Sequence, residues 1–221
     1  STERVSRGVF NREPPVGLLI LASILRSNGY TVDLLDCSIE NEPFEVIKDM
    51  ASDYRIIAFT CLTNTFNLTV KLIESARQSA PNALFTLGGP HASFMPTQIL
   101  NTVPGIDIIC LGEYEDVITP LVDSLLHKPI LELLDREDEF PLIFRPSLDQ
   151  LPKGVAIRKH NSNHPKPLQN SPYPKNSPVF FSDFKNELFN TDFSIISSWF
   201  EIYNTGFPDP VDVNKIPLPA R

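Results

Sequence analysis

Polar and apolar residues alternate at helical spacing in several stretches of the first half of the chain. The first of these stretches, VGLLILASILRS, ends at Asn28-Gly29, a pair typical of a helix C-terminus. Another begins with Pro43, which suits the first turn of a helix. The spacing predicts helices over residues 16–27, 43–51, 66–79, 96–103 and 116–127.

Short apolar runs bounded by turn residues separate these helices and predict buried strands. The predicted strands cover residues 30–37, 55–60, 83–87 and 106–111. Strands that alternate with helices indicate a parallel sheet covered on both faces, here a flavodoxin-like, doubly wound α/β fold with strand order 2-1-3-4-5. Residues 4–10 are the sole candidate for the first strand and their pattern is poor, so that strand is predicted to be weak or missing.

The second half of the chain has a different composition. Thirteen of the 21 prolines follow residue 128, whereas seven of the nine glycines precede it. Residues 160–178 are polar and proline-rich, and such a segment buries too little apolar surface to offset its ordering entropy. We therefore divide the chain into an α/β domain over residues 1–128 and an irregular extension, rich in proline and aromatic residues, over residues 129–210.

Charge and composition exclude several classes of partner. The formal net charge of −8 disfavours nucleic acid and anionic membranes. The sequence has no apolar run long enough to span a bilayer and no apolar stretch typical of a signal peptide, so a cytoplasmic protein is expected. Cys37, Cys61 and Cys110 lie far apart in apolar runs and are interpreted as small buried hydrophobic residues.

Open α/β sheets bind ligands outside the carboxyl ends of their strands, where this sequence places small and hydroxylated residues. Gly88-Gly89 lets a flat ligand approach the backbone, or else forms an ordinary tight turn. Thr60, Thr63 and Thr65 offer hydroxyls to a ligand, or else cap the following helix. Gly112 ends another strand beside Glu113. These residues together suit a broad ligand.

Other nucleotide and phosphate sites do not fit this edge. The sequence contains neither G-x-G-x-x-G nor a P-loop, which excludes the usual dinucleotide and nucleoside triphosphate sites. The residues before the first helix are not the Ser/Thr/Gly-rich loop that a flavin phosphate needs. A phospho-acceptor domain needs an aspartate where this chain has Thr60.

Four motifs in order give a specific family resemblance. They are PPVGLLILASILRSNGY from Pro14, GGPHAS from Gly88, GEYE from Gly112 and IPLPAR from Ile216. The chain resembles the N-terminal B12 (cobalamin)-binding domain of class B radical-SAM enzymes, with Tyr114 where glycine is usual. Residues 211–221 resemble the linker that leads into the radical-SAM barrel of that family.

The resemblance implies that the domain binds cobalamin. It places Pro15, Val16 and Gly17 near the lower face of the cobalt. The nucleotide tail and the corrin would then be bordered by Thr60, Leu62, Thr63, Gly88, Gly89, Pro90, His91, Gly112 and Glu113.

The resemblance also implies what this chain lacks. No histidine stands in the family's loop before the first helix, so no protein histidine is expected to bind the cobalt, and His91 is interpreted as a residue that shapes its loop. The sequence contains no CxxxCxxC. The 4Fe–4S cluster, S-adenosylmethionine and any catalysis, including methyl transfer, would belong to a barrel outside this chain.

Two alternatives stay open. A flavodoxin-like domain without its cofactor would serve as an interaction module, which a missing first strand would favour. An unrelated α/β enzyme is the other alternative, although the sequence places no nucleophile–base pair or carboxylate pair at the strand ends.

Overall fold

The computed structural model describes residues 14–127, 151–160 and 200–211. Within these ranges no helix combines the length and the apolar content needed to cross a membrane. The helices are α1 (Val16–Ser27), α2 (Pro43–Ala51), α3 (Phe66–Ser79), α4 (Pro90–Phe94), α5 (Pro96–Thr102) and α6 (Ile118–His127). The strands are β1 (Ile56–Thr60), β2 (Leu84–Gly88), β3 (Ile108–Cys110), β4 (Val155–His160) and β5 (Phe200–Asn204).

The strands form one sheet in the order β1-β2-β3-β4-β5. The first three are parallel and are connected through helices, as the alternating pattern predicts. Strand β4 pairs antiparallel with β3, and β5 pairs antiparallel with β4. The parallel part brings the carboxyl ends of β1, β2 and β3 to the same edge of the sheet, and the candidate residues follow those ends.

Two apolar clusters lie on the two faces of the sheet. One contains Leu72 and Ile73 of α3 together with Phe85 and Leu87 of β2. The other contains Leu121 and Leu125 of α6, and Leu21 of α1 packs against it. Helices therefore cover both faces of the sheet, which confirms the predicted flavodoxin-like α/β class.

Residues 30–37 do not form the predicted strand. They run as an irregular segment that ends in a turn at residues 37–39. In the predicted order 2-1-3-4-5, residues 30–37 would be the second strand and would pair with the first. Residues 4–10, the candidate for the first strand, lie outside the described residues. Within the described residues no strand pairs with residues 30–37, and a strand is defined by its hydrogen-bonded neighbour.

The predicted irregular extension contains two strands. Both β4 and β5 fall within residues 129–210 and continue the parallel sheet in antiparallel pairing. The sequence of β4, VAIRKH, is a short run of mixed polarity without clear alternation. This part of the extension is regular structure, contrary to the expectation from its composition, and the remainder of residues 129–210 lies outside the described ranges.

Strand β4 is fixed to the parallel sheet through a buried arginine. Arg158 is fully buried and its guanidinium donates to the carbonyls of Leu100, Val103 and Ile106 at 2.6–3.0 Å. Burial lowers the pKa of Arg158 to about 10, so the side chain remains charged at neutral pH. The extension is thereby joined to the loop that leads into β3.

A second arginine pairs with the only fully buried carboxylate among the described residues. Arg77 of α3 donates to Asp107 at 2.6 Å and to the carbonyls of Ala83 and Gly105. The same Asp107 oxygen accepts from the Phe85 amide at 2.7 Å. Burial raises the pKa of Asp107, and the positive charge of Arg77 opposes that shift. These bonds satisfy the backbone groups at the amino end of β2 and β3.

Candidate functional site

The loop after β1 presents several of the predicted residues to solvent. Thr60, Leu62 and Thr63 are exposed, whereas Cys61 between them is buried. The turn is closed by Thr65, whose hydroxyl accepts from the Leu62 amide at 3.0 Å. The hydroxyl of Thr65 therefore shapes the turn, while Thr60 and Thr63 are exposed residues of the same loop.

The turn after β2 lies directly on the loop after β1. Gly89 has a φ of +93°, and a Cβ there would stand 2.6 Å from the carbonyl oxygen of Cys61 and 2.7 Å from the Thr60 hydroxyl. A side chain at Gly89 would therefore clash with its own protein. The glycine is required for the close approach of two loops, which favours the tight-turn interpretation at this position. Gly88 is half-buried against Cys110 of β3.

Helix α4 follows Gly89 immediately and carries His91. The His91 Nδ1 atom lies 3.2 Å from the Thr63 hydroxyl, and the ring packs against Phe66 with 4.5 Å between ring centroids. His91 thus joins the loop after β1 to α4. This placement agrees with its interpretation as a loop-shaping residue. Pro90, at the first position of α4, is exposed.

Ser93 connects α4 to the turn after β3. Its hydroxyl donates to the Gly89 carbonyl at 3.0 Å and accepts from the Gly112 amide at 2.9 Å. Gly112, with a φ of +73°, and Glu113 are both exposed. The three turns after β1, β2 and β3 therefore form one continuous surface, hereafter the strand-end surface. The GGPHAS motif contains Ser93, but its sequence alone gives no sign of this link.

The tyrosine that replaces the family's usual glycine has a structural role. Tyr114 is buried, and its hydroxyl donates to the Gly154 carbonyl at 3.0 Å, immediately before β4. Burial raises the pKa of Tyr114 well above its usual range, so the phenol stays protonated. The hydroxyl of Tyr114 therefore joins the turn after β3 to the residue that precedes β4, a bond that glycine could not make.

Pro15, Val16 and Gly17 begin α1, whose main helical neighbour is α6. Val16 and Gly17 are exposed, and no heavy atom of the described residues lies within 4 Å of a Cβ built at Gly17, apart from its own helix backbone and chain neighbours. Among the described residues, open space therefore lies beside the start of α1. The contacts that join the three turns of the strand-end surface do not include these residues, and their predicted place beside the cobalt stays a prediction.

The cysteines provide no nucleophile or metal site in the described part of the chain. Cys61 and Cys110 are buried, as predicted for small hydrophobic residues, whereas Cys37 is only half-buried. Burial raises the pKa of Cys61 and Cys110 to about 11, which keeps both thiols protonated. The described residues also contain no cluster of three or more histidine, cysteine or carboxylate side chains.

Comparison with known proteins gives a family match across this surface. A family model described as the B12-binding domain matches residues 6–122, which include the turns after β1, β2 and β3. The anaerobic magnesium-protoporphyrin IX monomethyl ester cyclase of Cereibacter sphaeroides is 34% identical over 116 residues, which are 50% of this chain and 19% of that protein. The cyclase of the same name from Rubrivivax gelatinosus is 32% identical over 117 residues, 51% of this chain and 21% of that protein.

The matched segment thus spans about a fifth of the length of these relatives. Among solved structures, the N-terminal domain of a hypothetical protein from Thermotoga maritima aligns at 20% identity with a TM-score of 0.39, covering 55% of this chain and 92% of that domain. That alignment is too distant to carry an argument. The family model matches more than half of the chain, and the chain therefore belongs to the B12-binding domain family.

Proposed function

We propose that this chain binds cobalamin at the strand-end surface and serves as the cofactor-binding module of a larger radical-SAM-type enzyme. The observation that carries the proposal is the family match over residues 6–122. When bound, cobalamin supplies a redox-active cobalt centre. The catalytic barrel, its 4Fe–4S cluster, S-adenosylmethionine and the reaction itself, whether methyl transfer or another, are proposed to belong to a part of the enzyme outside this chain.

The residues of the strand-end surface fit such a ligand. Thr60 and Thr63 are exposed hydroxyl-bearing residues on either side of the exposed apolar side chain of Leu62. Cobalamin has an apolar macrocycle and amide groups at its periphery, so a surface that combines apolar contact with hydrogen-bonding groups suits it. The missing side chain at Gly89 lets the loop after β1 and the start of α4 lie close together on this surface.

The lower face of the cobalt is proposed to have no protein histidine. His91 is the only described histidine side chain, and it already contacts Thr63 and Phe66. We expect His91→Ala to leave the position of the visible bands of bound hydroxocobalamin unchanged, because its imidazole is already engaged by Thr63 and Phe66. A band shift on substitution would show that His91 is a ligand after all.

The binding proposal is tested with one added charge at two places. Leu62 is 53% exposed, so Leu62→Glu should leave the fold intact while placing a carboxylate within the strand-end surface. Gln78 is exposed near the far end of α3, at the opposite edge of the sheet, and Gln78→Glu is the matched control. We expect Leu62→Glu to weaken hydroxocobalamin binding at least about tenfold in an absorbance titration, since burying an unpaired charge against the ligand is unfavourable.

The control variant should bind hydroxocobalamin as the unmodified chain does. Equal binding by both variants would contradict the proposed location. Failure of the unmodified, folded chain to bind would instead favour the second candidate function, an interaction module without a cofactor. The observation that supports this second function is the unpaired outer edge of β1 within the described residues, since an open strand edge can pair with another chain.

A further inference from the structure

The loop that follows β5 is held firmly against the start of β4. The Thr205 amide donates to the Val155 carbonyl at 2.9 Å, and the Val155 amide donates to the Thr205 hydroxyl at 2.8 Å. The Gly154 amide donates to the Gly206 carbonyl at 2.7 Å. An ion pair of 3.0 Å between Lys153 and Asp209 closes the loop at the surface. Residues 205–209, hereafter the post-β5 loop, therefore have a defined position.

This loop carries an exposed aromatic ring. Phe207 is 60% exposed although the backbone on either side of it is fixed. The ring lies over Gly112, because a Cβ built on that glycine would stand 3.1 Å from Phe207 Cδ1 and 3.3 Å from Pro208 Cδ. An apolar side chain on a pre-positioned loop can bind a ligand with little loss of conformational entropy.

Phe207 extends the strand-end surface beyond β3. The Gly112 amide on which the ring packs donates to Ser93, and Ser93 in turn donates to the Gly89 carbonyl. The post-β5 loop is thus continuous, through direct contacts, with the turns after β1, β2 and β3. It comes from the part of the chain beyond the family match, which ends at residue 122.

We propose that Phe207 forms one wall of the cobalamin site and contacts the edge of the bound corrin; this inference rests on the proposed function. The corrin is a broad macrocycle whose edge carries methyl groups between its amide side chains, and a phenyl ring recognises these methyl groups through apolar contact. Phe94 provides a contrast, because it follows the fully buried Ala92 by two helical positions and so points away from the sheet, with 80% of its side chain exposed.

Thr205 is a positioning residue for this wall. Its hydroxyl and amide both bond to Val155, and these bonds fix the loop two residues before Phe207. Loss of the hydroxyl should let the loop move and withdraw the ring from the ligand. Serine at this position retains the hydroxyl and should retain the placement of the loop.

The experiment is an absorbance titration of the 221-residue chain with hydroxocobalamin. We expect Phe207→Ala to raise the Kd about tenfold, an amount typical of losing one aromatic contact, and Phe207→Leu to restore most of the affinity. Phe94→Ala is the size-matched control and should bind as the unmodified chain does. The thermal midpoint of Phe207→Ala should stay unchanged, because the ring is largely exposed.

If the unmodified chain binds hydroxocobalamin and Phe207→Ala has the same Kd, the proposed role of Phe207 is wrong. The proposed function would still stand. An equal loss in Phe94→Ala would also overturn it, since the effect would then be unspecific. A folded, unmodified chain that binds no hydroxocobalamin would overturn both proposals.

The positioning role is tested by a double-mutant cycle. Thr205→Val should weaken binding, Thr205→Ser should restore it, and Thr205→Val should add nothing in the Phe207→Ala background. An equal further loss in that background would show that Thr205 acts independently of the ring. Thermal midpoints recorded for each variant separate a displaced loop from a destabilised fold.

Discussion

Strands β1 and β3 have similarly apolar sequences, yet they differ in burial. All residues of β3 are buried, whereas Ala58 and Thr60 of β1 are exposed and its other residues are only half-buried. Strand β3 has a neighbour on each side, but β1 pairs with β2 alone within the described ranges. The comparison shows that a neighbouring strand decides burial here, and that hydropathy alone does not.

The two helices on one face of the sheet show the same difference. Helix α6 buries Leu121, Val122 and Leu125, while the very apolar α1 buries only Ala22. Helix α1 lies on the side where the first strand of the predicted order would stand. Its poorly buried apolar side chains are therefore the expected result of an unfilled place beside β1 in the described part of the chain.

Side-chain bonds hold residues 30–37 where a ladder is lacking. Arg26 donates to the Val32 carbonyl at 2.6 Å, and the Tyr54 hydroxyl donates to Asp33 at 2.5 Å. The Tyr30 hydroxyl donates to Asp123 of α6. These bonds are exposed to solvent, so we expect each to contribute less than a buried bond of the β3 region.

The largest predicted effect concerns the well-packed side of the sheet. Asp107→Ala leaves Arg77 and the Phe85 amide without a buried carboxylate, which should lower the free energy of unfolding by about 3–5 kcal/mol. Asp209→Ala breaks the exposed pair with Lys153 and should lower it by no more than about 1 kcal/mol. Urea unfolding of both variants measures the two losses of unfolding free energy. Equal losses would contradict the expected difference between the buried and the exposed ion pair.

Hydrogen exchange examines the open edge of β1 directly. The Leu84 amide donates to Arg55 and the Cys61 amide donates to Gly88, so by alternation the amides of Ile57 and Phe59 face β2 while those of Ala58 and Thr60 face outward. We expect the outward amides to exchange at least about tenfold faster than the inward ones. Equal protection of both sets would show that another strand covers this edge.

The smallest predicted effect is a dependence on alkaline pH. The hydrogen bond to Asp33 is the main cause that raises the pKa of Tyr54 to about 12, from its ordinary value of 10. The bond therefore stabilises the fold fully below pH 10, and this contribution is lost as the pH rises through 12. The difference in unfolding free energy between the unmodified chain and Tyr54→Phe should shrink between pH 10 and 12. A difference that stays constant over this range would show that the bond to Asp33 does not stabilise the fold in this way.

Much of the parallel part of the fold can be predicted from the sequence, because apolar periodicity and turn residues act locally. Helices α1, α2 and α3 have the predicted bounds, and β1, β2 and β3 differ from them by no more than two residues at an end. Residues 30–37 were wrongly predicted because their pattern requires a neighbour that local sequence does not reveal. The sequence does not predict β4, because Arg158 interrupts its apolar pattern. In the structure Arg158 is buried, and its guanidinium donates to three carbonyls.

The candidate site was predictable from motifs only in part. The glycines and threonines do gather at one edge of the sheet, since parallel strands end together. The sequence left open whether Gly89 admits a flat ligand or forms a tight turn. The structure favours the tight turn, because the missing Cβ makes room for Cys61 and Thr60. Phe207 could not be found from the motifs, since its approach to Gly112 depends on the antiparallel strands that return the chain to this edge.

Retention of the cofactor tests the central claim most directly. The purified chain is incubated with hydroxocobalamin, passed through a desalting column and examined by visible absorption and circular dichroism. We predict that corrin bands elute with the folded protein in a near-equimolar ratio, with band positions typical of cobalamin that lacks a nitrogen ligand on its lower face. A folded chain that elutes without corrin absorbance would contradict the account and favour an interaction module that binds no cofactor.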